Sequence, residues 1–241
     1  MASIKVFGSP TSTEVSRVLA CLFEKDVDFQ LIHIDTYNGV QRIPDPLKSQ
    51  PHGQALTFED GKTTLVESRR ICRHISEKFP ERGNKMLLGK GMLERSAIEQ
   101  WLLAEEQNFD PPSASLVFHL AFATDLIIGK EKEKELVENE KLLARVLDTY
   151  ERKLGETQYL AGDDFTLADL SHLPNSHYLV NKAEKKYLFE NRENVWRWWT
   201  EISQRPSWKK VVQMQNEPPA LPGNDERNVV PLSVYEVVFR V

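Results

Sequence analysis

Residues 165–174 read FTLADLSHLP, and the first six of them spell a helix start. Thr166 suits the N-cap, where its hydroxyl takes the N3 backbone amide. Asp169, at N3, reaches back to the Thr166 amide. Phe165 and Leu170 stand at N′ and N4, the two positions of a hydrophobic staple. As physics this is a good helix N-terminus, and alone it carries no function. Outward on both sides the pattern stays helical. Leu142, Leu143, Val146, Leu147 and Tyr150 keep a helical period, and Leu116, Val117, Leu120 and Ala121 begin another helix. Leu93, Ile98, Trp101 and Leu102 open one more, which Pro111-Pro112 is expected to interrupt. Lys130 to Lys141, KEKEKELVENEK, sets opposite charges three and four apart and reads as a solvated helix face. Trp196, Trp198, Trp199 and Trp208 read as packing for a C-terminal helix. No convincing strand falls between Met92 and about Val212, so an all-helical domain over 92–214 is expected.

Residues 1–80 have a different texture. Ile4 to Phe7 is a short β-prone run ending at Gly8, and Phe29 to Ile34 is a second. Between them Val15, Val18, Leu19 and Leu22 mark one helix face. Asn38-Gly39 is a turn, and Ile43 to Ser49 is a short segment broken by proline. Leu56 to Phe58 and Thr63 to Val66 flank Glu59-Asp60-Gly61-Lys62, a hairpin signal. Ile71, Ile75 and Phe79 mark a closing helix. The order β-α-β-(α)-β-β-α joins a βαβ unit to an antiparallel hairpin, which favours an α/β sandwich. Residues 81–91, rich in glycine and charge, read as the domain linker.

Composition narrows the function classes. The net charge is −5, which argues against nucleic acid as a main partner. No apolar run approaches the roughly 20 residues that span a bilayer, and MASIKVFG lacks the apolar stretch of a signal peptide. No membrane role is expected. Cys21 and Cys72 are too few for a disulfide scaffold and have no zinc-type spacing, so no metal site is expected and a cytoplasmic, reducing location is the default.

Four pieces carry a resemblance: KVFGSPTSTEVSRVLACLFEKDVDF, VESRRICRHI, YLAGDDFTLADLSHLP and WRWWTEISQRPSWKKV. In this order and spacing, over about residues 3–214, they resemble the glutathione transferases, most closely the phi class of plants. The resemblance implies an α+β/α two-domain fold, a thioredoxin-like N-terminal domain followed by the helical one, usually assembled as a homodimer. It implies glutathione as co-substrate, conjugated to a hydrophobic electrophile, with peroxide reduction as a related activity and roles in detoxification or secondary metabolism.

The chemistry asks for a lowered thiol pKa, because the thiolate is the nucleophile. A hydroxyl donor and the positive end of a helix both serve. Pro10-Thr11-Ser12-Thr13-Glu14-Val15 puts small hydroxyls at a helix start. On the bare sequence these read as caps; the resemblance makes Ser12 the catalytic hydroxyl, with Thr11 and Thr13 as neighbours able to assist and to line the pocket. It also implies that Glu67 and Ser68 bind the γ-glutamyl end, Gln41 and Arg42 the glycine carboxylate, and Gln54 and the Ala55 backbone the rest of glutathione. The chain departs from the family at Leu56, where a cis-proline is usual, and at His52, where an aromatic is common. A cis bond before a non-proline costs about 2.5–4 kcal/mol, so a trans bond is expected there, and with it altered glutathione use. Phe118, His119, Phe122 and Tyr178 match pocket positions for the electrophile, though ordinary helical core explains them as well. Cys21 and Cys72 read as structural, and His172 and His177 as neither chelator nor catalytic pair. Residues 215–241 form an atypical extension ending in the β-prone VVPLSVYEVVFRV, either disordered or folded over the pocket or onto a partner subunit. Two rival readings stay open: a ligandin carrying apolar metabolites, and a repurposed lyase, isomerase or cyclase.

Overall fold

The computed structural model describes residues 4–34, 56–123, 129–216 and 234–239. The chain divides into two compact units, Met1–Lys85 together with Lys209–Val241, and Met86–Trp208.

The first unit is built on strands β1 (Ile4–Phe7), β2 (Phe29–Ile34), β3 (Thr57–Asp60), β4 (Thr63–Leu65) and β5 (Val234–Phe239), in sheet order β4-β3-β1-β2-β5. β1 and β2 are parallel and joined by α1 (Thr13–Glu24), the expected βαβ unit. β3 runs antiparallel to β1 and turns into β4 at Gly61, whose φ of 63° supplies the left-handed residue of the turn. α2 (Ser68–Lys78) follows. The predicted apolar faces are buried: Val15, Val18, Leu19 and Leu22 on α1, Ile71 and Ile75 on α2. Cys21 and Cys72 are buried, free thiols that stitch the helices together: Cys21 Sγ donates to the Cys72 carbonyl, and Cys72 Sγ to the Arg17 carbonyl, each at 3.6 Å.

The segment after α2 is fastened to the end of α1. Asn84 N–H donates to the Glu24 carbonyl at 2.7 Å, and the Lys25 ammonium donates to the Asn84 carbonyl at 2.9 Å. Gly83 lies so close that a Cβ there would stand 2.2 Å from the Glu24 oxygen.

Beyond Asn216 the described residues of the extension are Val234–Phe239. Val234–Phe239 forms β5, antiparallel to β2 of the same chain, with Phe29 opposite Phe239 and Leu31 opposite Val237. The physical reason is the edge that β2 presents: an unpaired strand recruits an extended apolar segment. Phe29 and Leu31 of β2 are buried. α10 (Pro206–Asn216) precedes the tail, and Gln215 Nε2 donates to the Pro10 carbonyl and to Ser16 Oγ.

The described elements of the second unit are helical: α3 (Met92–Ala104), α4 (Asp110–Val117), α5 (Lys130–Leu154), α6 (Leu167–Leu170), α7 (Leu173–Asn181), α8 (Tyr187–Glu190) and α9 (Glu193–Ser203), with π turns at Glu105–Phe109 and Phe118–Phe122. The expected break at Pro111-Pro112 does not occur. Helical backbone continues through Glu105 and Asp110, and the prolines fall in the first turn of α4 just after a π turn. A widened turn rearranges the carbonyls that an interior proline would otherwise meet.

The capping box at Thr166 is present, and Asp169 does more than cap. Its Oδ2 accepts from the Thr166 amide and hydroxyl, and its Oδ1 from the Leu160 amide at 3.0 Å and the Trp198 indole at 2.9 Å. It is wholly buried. Around it Trp101, Phe109, Tyr150, His172 and Trp198 form an aromatic cluster. Within that cluster Tyr150 Oη meets His172 Nε2 at 2.9 Å, and His172 Nδ1 lies 2.8 Å from the Ala168 carbonyl. His172 is therefore a bonded core residue. No helix among the described residues is long and apolar enough to cross a membrane.

Candidate functional site

α1 begins just after the hydroxyl-rich stretch. Ser12 is its N-cap, half-buried, with an extended backbone, and its side chain makes no capping hydrogen bond. Beside it, Ser16 Oγ donates to the Pro10 and Ser12 carbonyls at 2.7 and 2.8 Å. The Ser12 hydroxyl thus stands at the positive end of a twelve-residue helix with no capping duty. Thr11 is exposed and bonded to Ser9 through its hydroxyl at 2.8 Å; Thr13 is half-buried in the first turn.

α2 begins at the second predicted pair. Glu67, its N-cap, has φ 71°, a left-handed conformation that a non-glycine residue adopts only under constraint. Ser68 is buried, and its amide and hydroxyl are both engaged from α1. Arg17 Nη1 donates to Ser68 Oγ at 2.6 Å and to Glu14 Oε1 at 2.8 Å, while the Ser68 amide donates to Glu14 Oε2 at 3.4 Å. Burial pushes the Glu14 carboxyl up. The charge of Arg17, hydrogen bonds from Ser68 and Arg17 and the charge of Arg69 outweigh that and bring it down to about 2. The structure therefore sets the first turns of α1 and α2 side by side, with Ser12 on one and Glu67-Ser68 on the other. The sequence reading missed Glu14 and Arg17. The signal was available: Arg17 is a charge within the apolar face of Val15, Val18 and Leu19, and it is fully buried.

Gln41, Arg42, His52, Gln54 and Ala55 lie outside the described residues. So does the bond that joins Ala55 to Leu56. Leu56 itself is buried at the entry to β3.

In the second unit the structure brings Phe122 and Tyr178 together, ring centres 4.6 Å apart. Burial pushes the Tyr178 phenol up to about 12. Phe118 is 51% exposed and meets His119 edge-on at 4.8 Å. Behind Tyr178, His177 contacts the Trp208 ring at 5.6 Å. Burial and then the charge of Lys182 take His177 down to about 4. An open depression of about 880 Å³, lined in part by Trp196, Arg197 and Glu201, lies on the same unit. Its Arg197 donates to the carbonyls of Leu154 and Gln158, finishing the end of α5.

Comparison with known proteins identifies both parts of the chain. Residues 6–83 match the family pattern of the glutathione S-transferase N-terminal domain, and residues 110–206 that of the C-terminal domain. Glutathione S-transferase F11 of Arabidopsis thaliana is 41% identical over 212 residues, 88% of this chain and 98% of the relative. The crystal structure of glutathione transferase F2 from Populus trichocarpa aligns with a TM-score of 0.83 at 54% identity, covering 88% of this chain and 98% of that one. Glutathione S-transferase I of maize, solved in complex with an atrazine glutathione conjugate, aligns with a TM-score of 0.79 at 27% identity, covering 91% and 100%.

Proposed function

Since the chain belongs to the glutathione S-transferase family, and within it to the phi class, we propose that it joins glutathione to hydrophobic electrophiles through a thiolate stabilised by Ser12. The observation that carries this is the Ser12 hydroxyl, half-buried at the positive end of α1 and making no capping bond. There it donates to the glutathione sulfur, and the helix end favours the negative charge. The thiol proton leaves to solvent, the sulfur bonds to the electrophilic carbon, and the leaving group departs with its bonding pair, as chloride does from a chloroarene. Glu67 and Ser68 hold the γ-glutamyl end, and Gln41, Arg42, Gln54 and Ala55 hold the remainder. Thr11 and Thr13 flank Ser12, and Phe118, His119, Phe122 and Tyr178 line the acceptor's pocket. Homodimeric assembly in the cytoplasm is part of the same proposal.

The test is conjugation of 1-chloro-2,4-dinitrobenzene by wild type and Ser12→Ala. We expect Ser12→Ala to bind glutathione resin but to lose about 100-fold in kcat/KM, the scale for removing one donor to a developing anion. The acid limb of its pH–rate profile should move to higher pH as thiolate stabilisation is lost. An unchanged rate and profile would remove Ser12 from the mechanism, and failure of wild type to bind or turn over would sink the reading.

A further inference from the structure

Glu14 takes up the helix-start amide of α2. It is the second residue of α1, yet its side chain reaches the first turn of α2. Oε2 accepts the Ser68 amide at 3.4 Å and Oε1 accepts Arg17 Nη1 at 2.8 Å. Arg17 and Ser68 are fully buried, whereas the Glu14 side chain remains 39% exposed. A helix-start amide, a hydroxyl and a buried guanidinium form an anion cradle, and here the chain fills it with its own carboxylate.

We infer that Glu14 competes with the γ-glutamyl carboxylate of glutathione for the Ser68 amide and Arg17, and so sets how tightly this protein holds glutathione. The inference rests on the proposed role of Glu67-Ser68. Two carboxylates on one amide and one guanidinium repel each other, so the substrate enters only as Glu14 swings out to solvent. Its partial exposure allows that movement. Loss of Glu14 leaves a vacant cradle that the substrate's carboxylate completes.

The experiment titrates full-length wild type, Glu14→Gln and Glu14→Ala with glutathione, and with γ-aminobutyryl-cysteinyl-glycine, the same peptide without the α-carboxylate. Both variants should bind glutathione about tenfold tighter, a change of about 1.4 kcal/mol, with the analogue's affinity unchanged. They should melt lower without ligand, because Arg17 loses a partner, and gain more from glutathione than wild type does. Equal or weaker glutathione binding in both variants overturns the inference, as does an equal gain for the analogue. If wild type and both variants all fail to bind glutathione, the site reading beneath falls and the inference falls with it. Should one variant not fold, the other supplies both measurements.

Discussion

Asp169→Asn changes one atom at the centre of the helical unit, and its cost can be worked from four hydrogen bonds. The carboxylate serves two donors on each oxygen: the Leu160 amide and Trp198 indole on one side, the Thr166 amide and hydroxyl on the other. Asparagine keeps the shape but has one acceptor oxygen. If its NH₂ faces Leu160 and Trp198, two buried N–H groups lose their partner. If it faces Thr166, the hydroxyl can rotate to accept, and one buried N–H is orphaned. The second arrangement is the cheaper. An orphaned buried donor costs about 1–3 kcal/mol, and the surviving bonds weaken because the acceptor has lost its charge. The expected loss is about 3 kcal/mol, a large share of a typical stability of about 5–15 kcal/mol. In urea, followed by far-UV circular dichroism, the midpoint should fall by about 1 M at a slope of about 3 kcal/mol/M. A loss under about 1 kcal/mol would refute the reasoning, since it would mean that the four donors find other partners once Asp169 changes.

Further perturbations test other joints. Gly83→Ala places a Cβ 2.2 Å from the Glu24 oxygen at a φ of 49°; we expect a loss of about 3 kcal/mol or more in thermal or urea unfolding. His177 is held below its unfolded value, at about 4, so the stability it contributes is full above pH 6.5 and is lost as pH falls from 6.5 towards 4. Unfolding measured across that window should show a decline of at most about 3 kcal/mol in wild type, and a flatter profile in His177→Gln. Truncation after Asn216 removes β5, and hydrogen exchange should then speed up at the β2 amides facing it while β1 and β3 stay protected.

Much of the architecture was readable in the residues. Hydrophobic periodicity placed α1, α2 and the long α5, and the Thr166-Asp169 spacing located a helix start that the structure contains. These signals are local, and local chemistry satisfies them. The π turns escaped because a widened turn has no period of its own, so Pro111-Pro112 read as a break. β5 was visible as β-prone chain, but its partner is about 200 residues away in sequence, and nothing near Val234 names β2. At the candidate site, Ser12 and Glu67-Ser68 were legible as hydroxyls and a pair at helix starts. The Glu14–Arg17–Ser68 bridge was not, because it forms only when two helix starts far apart in sequence are set side by side.

That distance has a consequence for how the protein is made. β2 is synthesised about 200 residues before the strand that covers its edge. At about 5–20 residues per second, the edge waits on the order of 10–40 seconds for its neighbour. Throughout that interval the nascent chain carries an open strand beside a partly assembled sheet, the kind of surface that holding chaperones recognise. The first unit, which also takes Gln215 back to Pro10, is closed only by segments that follow the second unit in sequence.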